Sequence, residues 1–229
     1  MKIVILTGAG VSAESGLSTF RDKDGIWSKV DLQEVATPEG FARDPQKVLS
    51  FYNTRRKNAR ASEPNAAHFA LARLQSQHRG EVVIITQNVD RLHSAAGADA
   101  IHMHGRLDLA WCPACDTRWD APEIMAPDDR CAHCGRTGTR PDIVWFGEMP
   151  HHLDRIADHL AEADLFAAIG TSGQVYPAAG FVSEAKRCGA QTVELNLLDS
   201  EISGLFGAHH VGPATKTVPN WVETILAGA

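Results

Sequence analysis

Six short runs rich in β-branched and other apolar residues punctuate this chain: IVIL at 3–6, VVIIT at 82–86, AIHM at 100–103, DIVWF at 142–146, LFAAI at 165–169 and TVELN at 192–196. Each is too short for a helix and is strand-like in composition. Between them, apolar positions recur every three to four residues over 45–60, 66–78, 153–163 and 178–187, the period of amphipathic helices. Strands alternating with helices predict an α/β fold built on a mainly parallel sheet. Several strands run out into polar or glycine-rich clusters: TGAG at 7–10, TQNVD at 86–90 and GTSG at 170–173, with Asn196 closing a fourth and His104-Gly105 a fifth. In open α/β sheets ligands sit beyond the carboxyl ends of the strands, so these clusters are expected to converge on one crevice.

The first cluster says the most about the chain, although glycine-rich turns after strands are common. Gly8, Gly10 and Ala13 follow a strand at the G-x-G-x-x-G/A spacing of a dinucleotide-binding turn. Backbone N–H groups there, and a helix starting just after, are expected to receive a pyrophosphate. An ordinary dinucleotide fold continues into a second strand that ends in an acidic residue. Here the next stretch, STFRDKDGIWSKVDLQEVATPEGF at 18–41, is polar and broken by Gly25, Pro38 and Gly40, so a loop is expected instead.

Composition narrows the class. At 229 residues, 44% hydrophobic and 22% charged, the chain suits one well-buried domain with a small appended module. No apolar run reaches the ~18 residues of a membrane span, and Lys2 leads into a strand and not a signal-peptide core, so a cytosolic protein is expected. Net charge is −6, with no basic cluster beyond Arg55-Arg56-Lys57, which argues against nucleic acid as the primary ligand. Cys112, Cys115, Cys131 and Cys134 form C-x2-C-x15-C-x2-C. That spacing fits a closed four-thiolate Zn²⁺ site that braces a small module and does no chemistry. Disulfides are the competing structure, and a reducing cytosol argues against them. Cys188, late in a helical period, is expected to be a small buried filler.

Taken in order, Gly8-Ala9-Gly10-Val11-Ser12 through Phe20-Arg21-Asp22, then Gln87-Asn88-Val89-Asp90, His104-Gly105, the four cysteines, Val144-Trp145-Phe146-Gly147-Glu148, Gly170-Thr171-Ser172 and Asn196 resemble the sirtuin family of NAD-dependent protein-lysine deacylases. The resemblance covers essentially the whole chain. It implies a Rossmann-like part with helices on both sheet faces, over about 1–30, 62–106 and 143–229. A small domain would hold a helical insertion, about 31–61, and a four-cysteine zinc ribbon, about 107–142. NAD and an acyl-lysine substrate would enter the cleft between the two parts from opposite sides, and the chain is expected to act as a monomer.

The resemblance also implies roles. His104, with the neighbouring Gly105, would be the general base, and His102, two residues earlier on the same strand face, is its rival. Asn88 and Gln87 would position the ribose and Asp90 the nicotinamide carboxamide, although Asp90 could instead simply cap a helix starting at Arg91. Gly8, Ala9, Gly10, Ser12, Phe20, Arg21 and Trp27 would surround the cofactor. Gly170, Thr171, Ser172 and Asn196 would meet the adenosine, with Ala214 closing over the adenine. Leu17-Ser18-Thr19 stands where many members carry Ile-Pro-Asp, which leaves open any carboxylate role at Thr19. Val144, Phe146 and Gly147 on one side and Val175 on the other would hold an extended peptide, with Trp145 as core packing.

Tyr52 and Arg55 are i and i+3, so they share a helix face. Y-x-x-R here resembles the mark of the bacterial class III subgroup, which removes succinyl and malonyl groups, and Ala36 matches its small pocket residue. A guanidinium and a phenol are apt donors for a carboxylate. Two other readings stand beside this one. A NAD glycohydrolase or mono-ADP-ribosyltransferase shares the cofactor but usually leans on a glutamate. A non-catalytic zinc-ribbon adaptor fits poorly with the acidic balance.

Overall fold

A computed structural model describes residues 1–18 and 31–228. In chain order its strands are β1 (Ile3–Thr7), β2 (Val82–Thr86), β3 (Ala100–His102), β4 (Gly105–Cys112), β5 (Thr117–Asp120), β6 (Arg140–Ile143), β7 (Leu165–Ile169), β8 (Gln191–Asn196) and β9 (Ala208–Val211). The α-helices are α1 (Leu32–Val35), α2 (Pro38–Arg43), α3 (Pro45–Ala61), α4 (Ala66–Gln77), α5 (Leu92–Ala95), α6 (Leu153–Ala161), α7 (Phe181–Arg187) and α8 (Ala214–Ala227).

Six strands form one parallel sheet in the order β3-β2-β1-β7-β8-β9. Every residue of β1, β2 and β7 is buried, as their unbroken apolar runs require. Alternation along β1 divides the core in two. Ile3 and Ile5 face a cluster with Leu71 and Leu74 of α4 and Trp221 and Val222 of α8. Val4 and Leu6 face Ile156 and Leu160 of α6 and Val182 of α7. The chain runs outward from β1 through β2 to β3, then returns to β7 on the other side, so the topological switch lies between β1 and β7. Their carboxyl ends carry Gly8 and Gly170, and a ligand crevice is expected there.

A second, antiparallel sheet of order β5-β4-β6 carries the cysteine segment. Its presence corrects the reading of DIVWF at 142–146 as a strand of the parallel sheet. β6 ends at Ile143, and Val144 and Phe146 leave the ladder to donate to the carbonyls of His104 and Ala36. That run is apolar because Ile143 and Trp145 fill a third core with Val35, Ala36, Val48, Tyr52 and Leu107.

The expected helix after Ala13 is also absent. Two 3-10 turns, Ala9–Val11 and Ala13–Ser15, occupy the place, and Gly16 at φ 85° ends the second. The helix at 178–187 begins at Phe181, after a 3-10 turn over Ala178–Gly180. Cys188 stands at its C-cap, where the helix ends and the chain turns at Gly189 (φ 98°), and is exposed, not buried. α3 starts where the periodicity put it, with Pro45 in its first turn and the Asp44 carboxylate accepting from the Lys47 N–H at 2.9 Å. No helix among the described residues is long and apolar enough to cross a membrane.

Candidate active site

The strand-end clusters line one cleft of about 630 Å³: Gly8, Ala9, Gly10, Ser12, Gln87, Asn88, Asp90, His104, Gly170, Thr171, Ser172, Asn196 and Ala214 all face it. Such a volume lies within the range of small-ligand sites, roughly 300–1,000 Å³. Tyr52 and Arg55 of α3 and Ala36 at the end of α1 line the same cleft, and Val144, Phe146, Gly147 and Val175 line its rim. Of the residues singled out from the sequence, Phe20, Arg21 and Trp27, with Thr19, lie outside the described residues.

The glycine turn works differently from the expectation. Gly8 donates to the Ile169 carbonyl at 3.0 Å and Gly10 to the Gly170 carbonyl at 2.9 Å, so both glycine amides are spent inside the protein. What the glycines supply is close approach. A Cβ on Gly10 would sit 2.7 Å from the Gly170 Cα, and one on Gly170, at φ 63°, would sit 2.5 Å from the Val11 nitrogen. The ends of β1 and β7 thus interlock, leaving a floor free of side chains that suits a flat, charged cofactor. Asn196 bonds the Thr171 carbonyl at 2.7 Å and ties the adjacent strand end to the same floor.

Behind that floor lies a buried polar chain. Asn88 donates to the Gly8 carbonyl and to the Ser12 hydroxyl, each at 3.1 Å, and Ser12 donates to Asp90 at 3.1 Å. Both Asn88 amide hydrogens are therefore engaged, and what it offers a ligand is its oxygen, an acceptor for a sugar hydroxyl. Asp90 also accepts from the Leu92 N–H at 2.9 Å, so the helix-start contact weighed from sequence is present alongside its place in the cleft. Burial raises the Asp90 carboxyl above the ordinary range, while those two hydrogen bonds, His102 and Arg55 hold it down.

His68 was not singled out from the sequence, yet it completes this chain. Its Nδ1 faces the Asn65 N–H at 3.3 Å and must accept, so Nε2 carries the proton and points to Ser12 at 3.4 Å. The signal was an Asn three residues before a His at a helix start, the reciprocal cap of α4. Burial lowers His68 to about 4 and His93, whose Nε2 lies 2.9 Å from the Thr7 hydroxyl, to about 3.

Those two histidines give an acid-stability prediction. Both fold neutral, whereas in the unfolded chain they take up protons near 6.5. Stability against urea is thus complete above 6.5 and falls as the pH drops through about 4. The slope becomes shallower in His93→Gln. An unchanged slope in that variant would show that His93 does not stay neutral in the fold.

His104 and His102 are separated by their surroundings. His104 is half-buried and faces the cleft, whereas His102 is buried, its Nε2 without a partner among the described residues. The His104 Nδ1 lies 3.2 Å from the Gln87 carbonyl, which can only accept, so Nδ1 carries the hydrogen and Nε2 the free lone pair. Burial lowers the His104 pKa below 6.5, the Gln87 bond opposing it and His151 adding to it.

The four cysteines meet at a separate place, and none lines the cleft. Their Sγ atoms lie within 4.8 Å of one another, with Cys112 to Cys134 at 3.6 Å and Cys115 to Cys131 at 3.7 Å. A tetrahedron with Zn–S bonds near 2.3 Å has edges of about 3.8 Å, so the thiols already fit the ion. Disulfide bonds, at about 2.05 Å, do not match these separations. Each knuckle turns through a left-handed residue, Asp116 at φ 56° and Gly135 at φ 73°.

A family model described as Sir2 family matches residues 8–177. A relative from Caulobacter vibrioides called NAD-dependent protein deacylase is 55% identical over 232 residues, covering 99% of this chain and 98% of that one. A Sir2 homologue solved in complex with NAD superposes with a TM-score of 0.91 at 37% identity, covering 99% of this chain and 90% of that one. Sir2 bound to acetylated peptide gives a TM-score of 0.79 at 26% identity, covering 99% and 92%.

Proposed function

This chain belongs to the Sir2 family, and from that premise we propose that it is an NAD-dependent protein deacylase that takes acyl groups from lysine, releasing nicotinamide and O-acyl-ADP-ribose. The single observation that carries the reading is that one cleft gathers the interlocked glycine floor, the imidazole of His104 and the Tyr52–Arg55 pair. When bound, NAD supplies the anomeric carbon that takes the acyl oxygen as nicotinamide leaves.

In this reading the glycine floor and Asn196 receive the ADP-ribose half, while Asn88 and Gln87 hold ribose hydroxyls and Asp90 the carboxamide. His104 keeps its Nε2 lone pair toward the cleft and takes up a proton from a sugar hydroxyl there. Phe146, 45% exposed on the rim, and Val144, Gly147 and Val175 flank the peptide as an extended strand. The thiolate cluster holds one structural Zn²⁺, remote from the reacting groups. We assign the protein to the cytosol, where the thiols stay reduced. A glycohydrolase would release nicotinamide from NAD alone, whereas a deacylase needs the acylated peptide, so NAD turnover with and without peptide separates the two.

The acyl pocket is acidic-selective in this reading. The Arg55 guanidinium, half-buried 5.6 Å from the Tyr52 ring centroid, meets a carboxylate that an acetyl group lacks. A hydrogen bond to a charged group contributes about 1.5–3 kcal/mol, so Arg55→Met is expected to lower the succinyl-to-acetyl ratio of kcat/KM about ten- to a hundredfold. An unchanged ratio, measured on one peptide carrying either group, would overturn the pocket assignment.

A further inference from the structure

Tyr52 is 1% exposed, and its phenol oxygen sits 2.9 Å from the indole N–H of Trp145. An indole nitrogen can only donate, so at this contact the phenol must accept. The Arg55 guanidinium, 5.6 Å from the centre of the same ring, is likewise donor-only and offers no acceptor to the phenol. With the indole N–H donated to the oxygen on one side and a cation close by, the single phenolic proton has to leave in another direction. Tyr52 lines the cleft, and burial keeps the phenol protonated by raising its pKa. A group in the cleft therefore meets Tyr52 as a donor, which a carboxylate, with acceptors only, can use and an acetyl methyl cannot.

The indole is itself held from several sides. The Arg140 guanidinium lies 3.8 Å from the centre of a Trp145 ring, and the Phe41 ring packs against the indole at 5.3 Å between centroids, tilted by 47°. The Trp145 backbone N–H donates to Glu148 at 2.9 Å, and the same carboxylate accepts from Arg140 at 2.7 and 2.8 Å. Trp145 and Arg140 are both buried, so the N–H has little freedom to point elsewhere.

We propose that Trp145 is a positioning residue for acyl specificity: by donating to the Tyr52 oxygen it fixes the phenol as a donor toward carboxylate-bearing acyl chains. The inference rests on the reading of Tyr52 and Arg55 as the acyl pocket. It assigns Trp145 more than the core packing that its apolar surroundings suggest.

The test is a double-mutant cycle on kcat/KM for one peptide carrying acetyl or succinyl, in the native enzyme, Trp145→Phe, Tyr52→Phe and the double variant. Tyr52→Phe is expected to lower the succinyl-to-acetyl ratio about tenfold, the weight of one hydrogen bond to a charged group. Trp145→Phe should lower it about three- to fivefold, mainly through the succinyl KM, because the phenol proton is then no longer directed. The double variant should lose no more than Tyr52→Phe alone, since the indole acts only through the phenol.

If Trp145→Phe folds poorly, 3-benzothienylalanine at position 145 keeps the bicyclic shape and removes only the N–H. A normal ratio in that protein, or losses that multiply in the double variant, would overturn the proposal. An unchanged ratio in Tyr52→Phe would instead overturn the acyl-pocket reading beneath it.

Discussion

Replacing His104 with asparagine is expected to lower acyl-lysine turnover by about 10²- to 10⁴-fold, the usual worth of a general base, while leaving the fold and its melting temperature nearly unchanged. The substitution separates two jobs of the ring. Its Nδ1–H holds the Gln87 carbonyl at 3.2 Å, and an asparagine N–H can replace that donor. No asparagine atom replaces the Nε2 lone pair.

The pH profile gives a second readout. Only neutral imidazole can accept a proton, and burial lowers the His104 pKa, so the working form persists below 6.5. The acid limb of kcat/KM should therefore turn at a pH below 6.5, and that limb should vanish from the residual activity of His104→Asn. Near-native turnover in a folded His104→Asn enzyme would show that the base lies elsewhere. His102→Asn, altering a buried ring outside the cleft, is expected to act on stability more than on turnover.

What the sequence disclosed and what it hid follow from the same physics. The crevice was legible because β1, β2 and β7 are buried on both faces, and fully buried strands announce themselves as unbroken apolar runs. Once their ends were placed, the polar residues after them had one place to meet. The zinc site was legible because ligand spacing is local. The pairing of Tyr52 with Arg55 was legible because helix period alone puts them on one face.

Other features depend on contacts across the chain. DIVWF at 142–146 is as apolar as a true sheet strand, and only the pairing of β6 with β4 shows that Val144 to Phe146 leave the ladder. β9 was missed because its AHHV sequence is exposed along its whole length and has no apolar period. α8 was hidden by Pro219, which reads as a breaker yet stands in the second turn of the helix. The amides of Gly8 and Gly10 looked free for a phosphate because nothing local reveals that the carbonyls of Ile169 and Gly170, at and just after the end of β7, have already taken them. The polarity of the Tyr52 phenol depends on Trp145, 93 residues away, and was invisible for that reason.

Stripping the zinc is expected to abolish turnover although no cysteine lines the cleft. The segment around the cysteines has a small apolar core, which joins Ala110, Ala121 and Met125 to Leu49 of α3. A structural zinc site supplies about 10–16 kcal/mol of apparent binding free energy, far more than burial of a few such side chains at about 1.5–3 kcal/mol each. Without the ion, four thiols in close contact have no reason to remain together, and the two knuckles should open.

The damage should travel along α3. Asn53 pairs with the Met125 backbone at 2.9 and 3.0 Å, Arg56 donates to the Leu107 carbonyl at 2.7 Å, and Arg60 to that of Ala121 at 2.7 Å. Those bonds anchor the helix that carries Tyr52 and Arg55, so loss of the ribbon frees the acyl pocket from its mount. Hydrogen exchange after chelation, or in Cys131→Ser, should show protection lost across β4, β5, β6 and the outer turns of α3. β1, β2 and β7 should stay protected, because their core is built from α4, α6, α7 and α8. A metal-free protein that keeps both its ribbon protection and its succinyl-to-acetyl preference would mean that the antiparallel sheet is self-supporting, and that α3 does not depend on it.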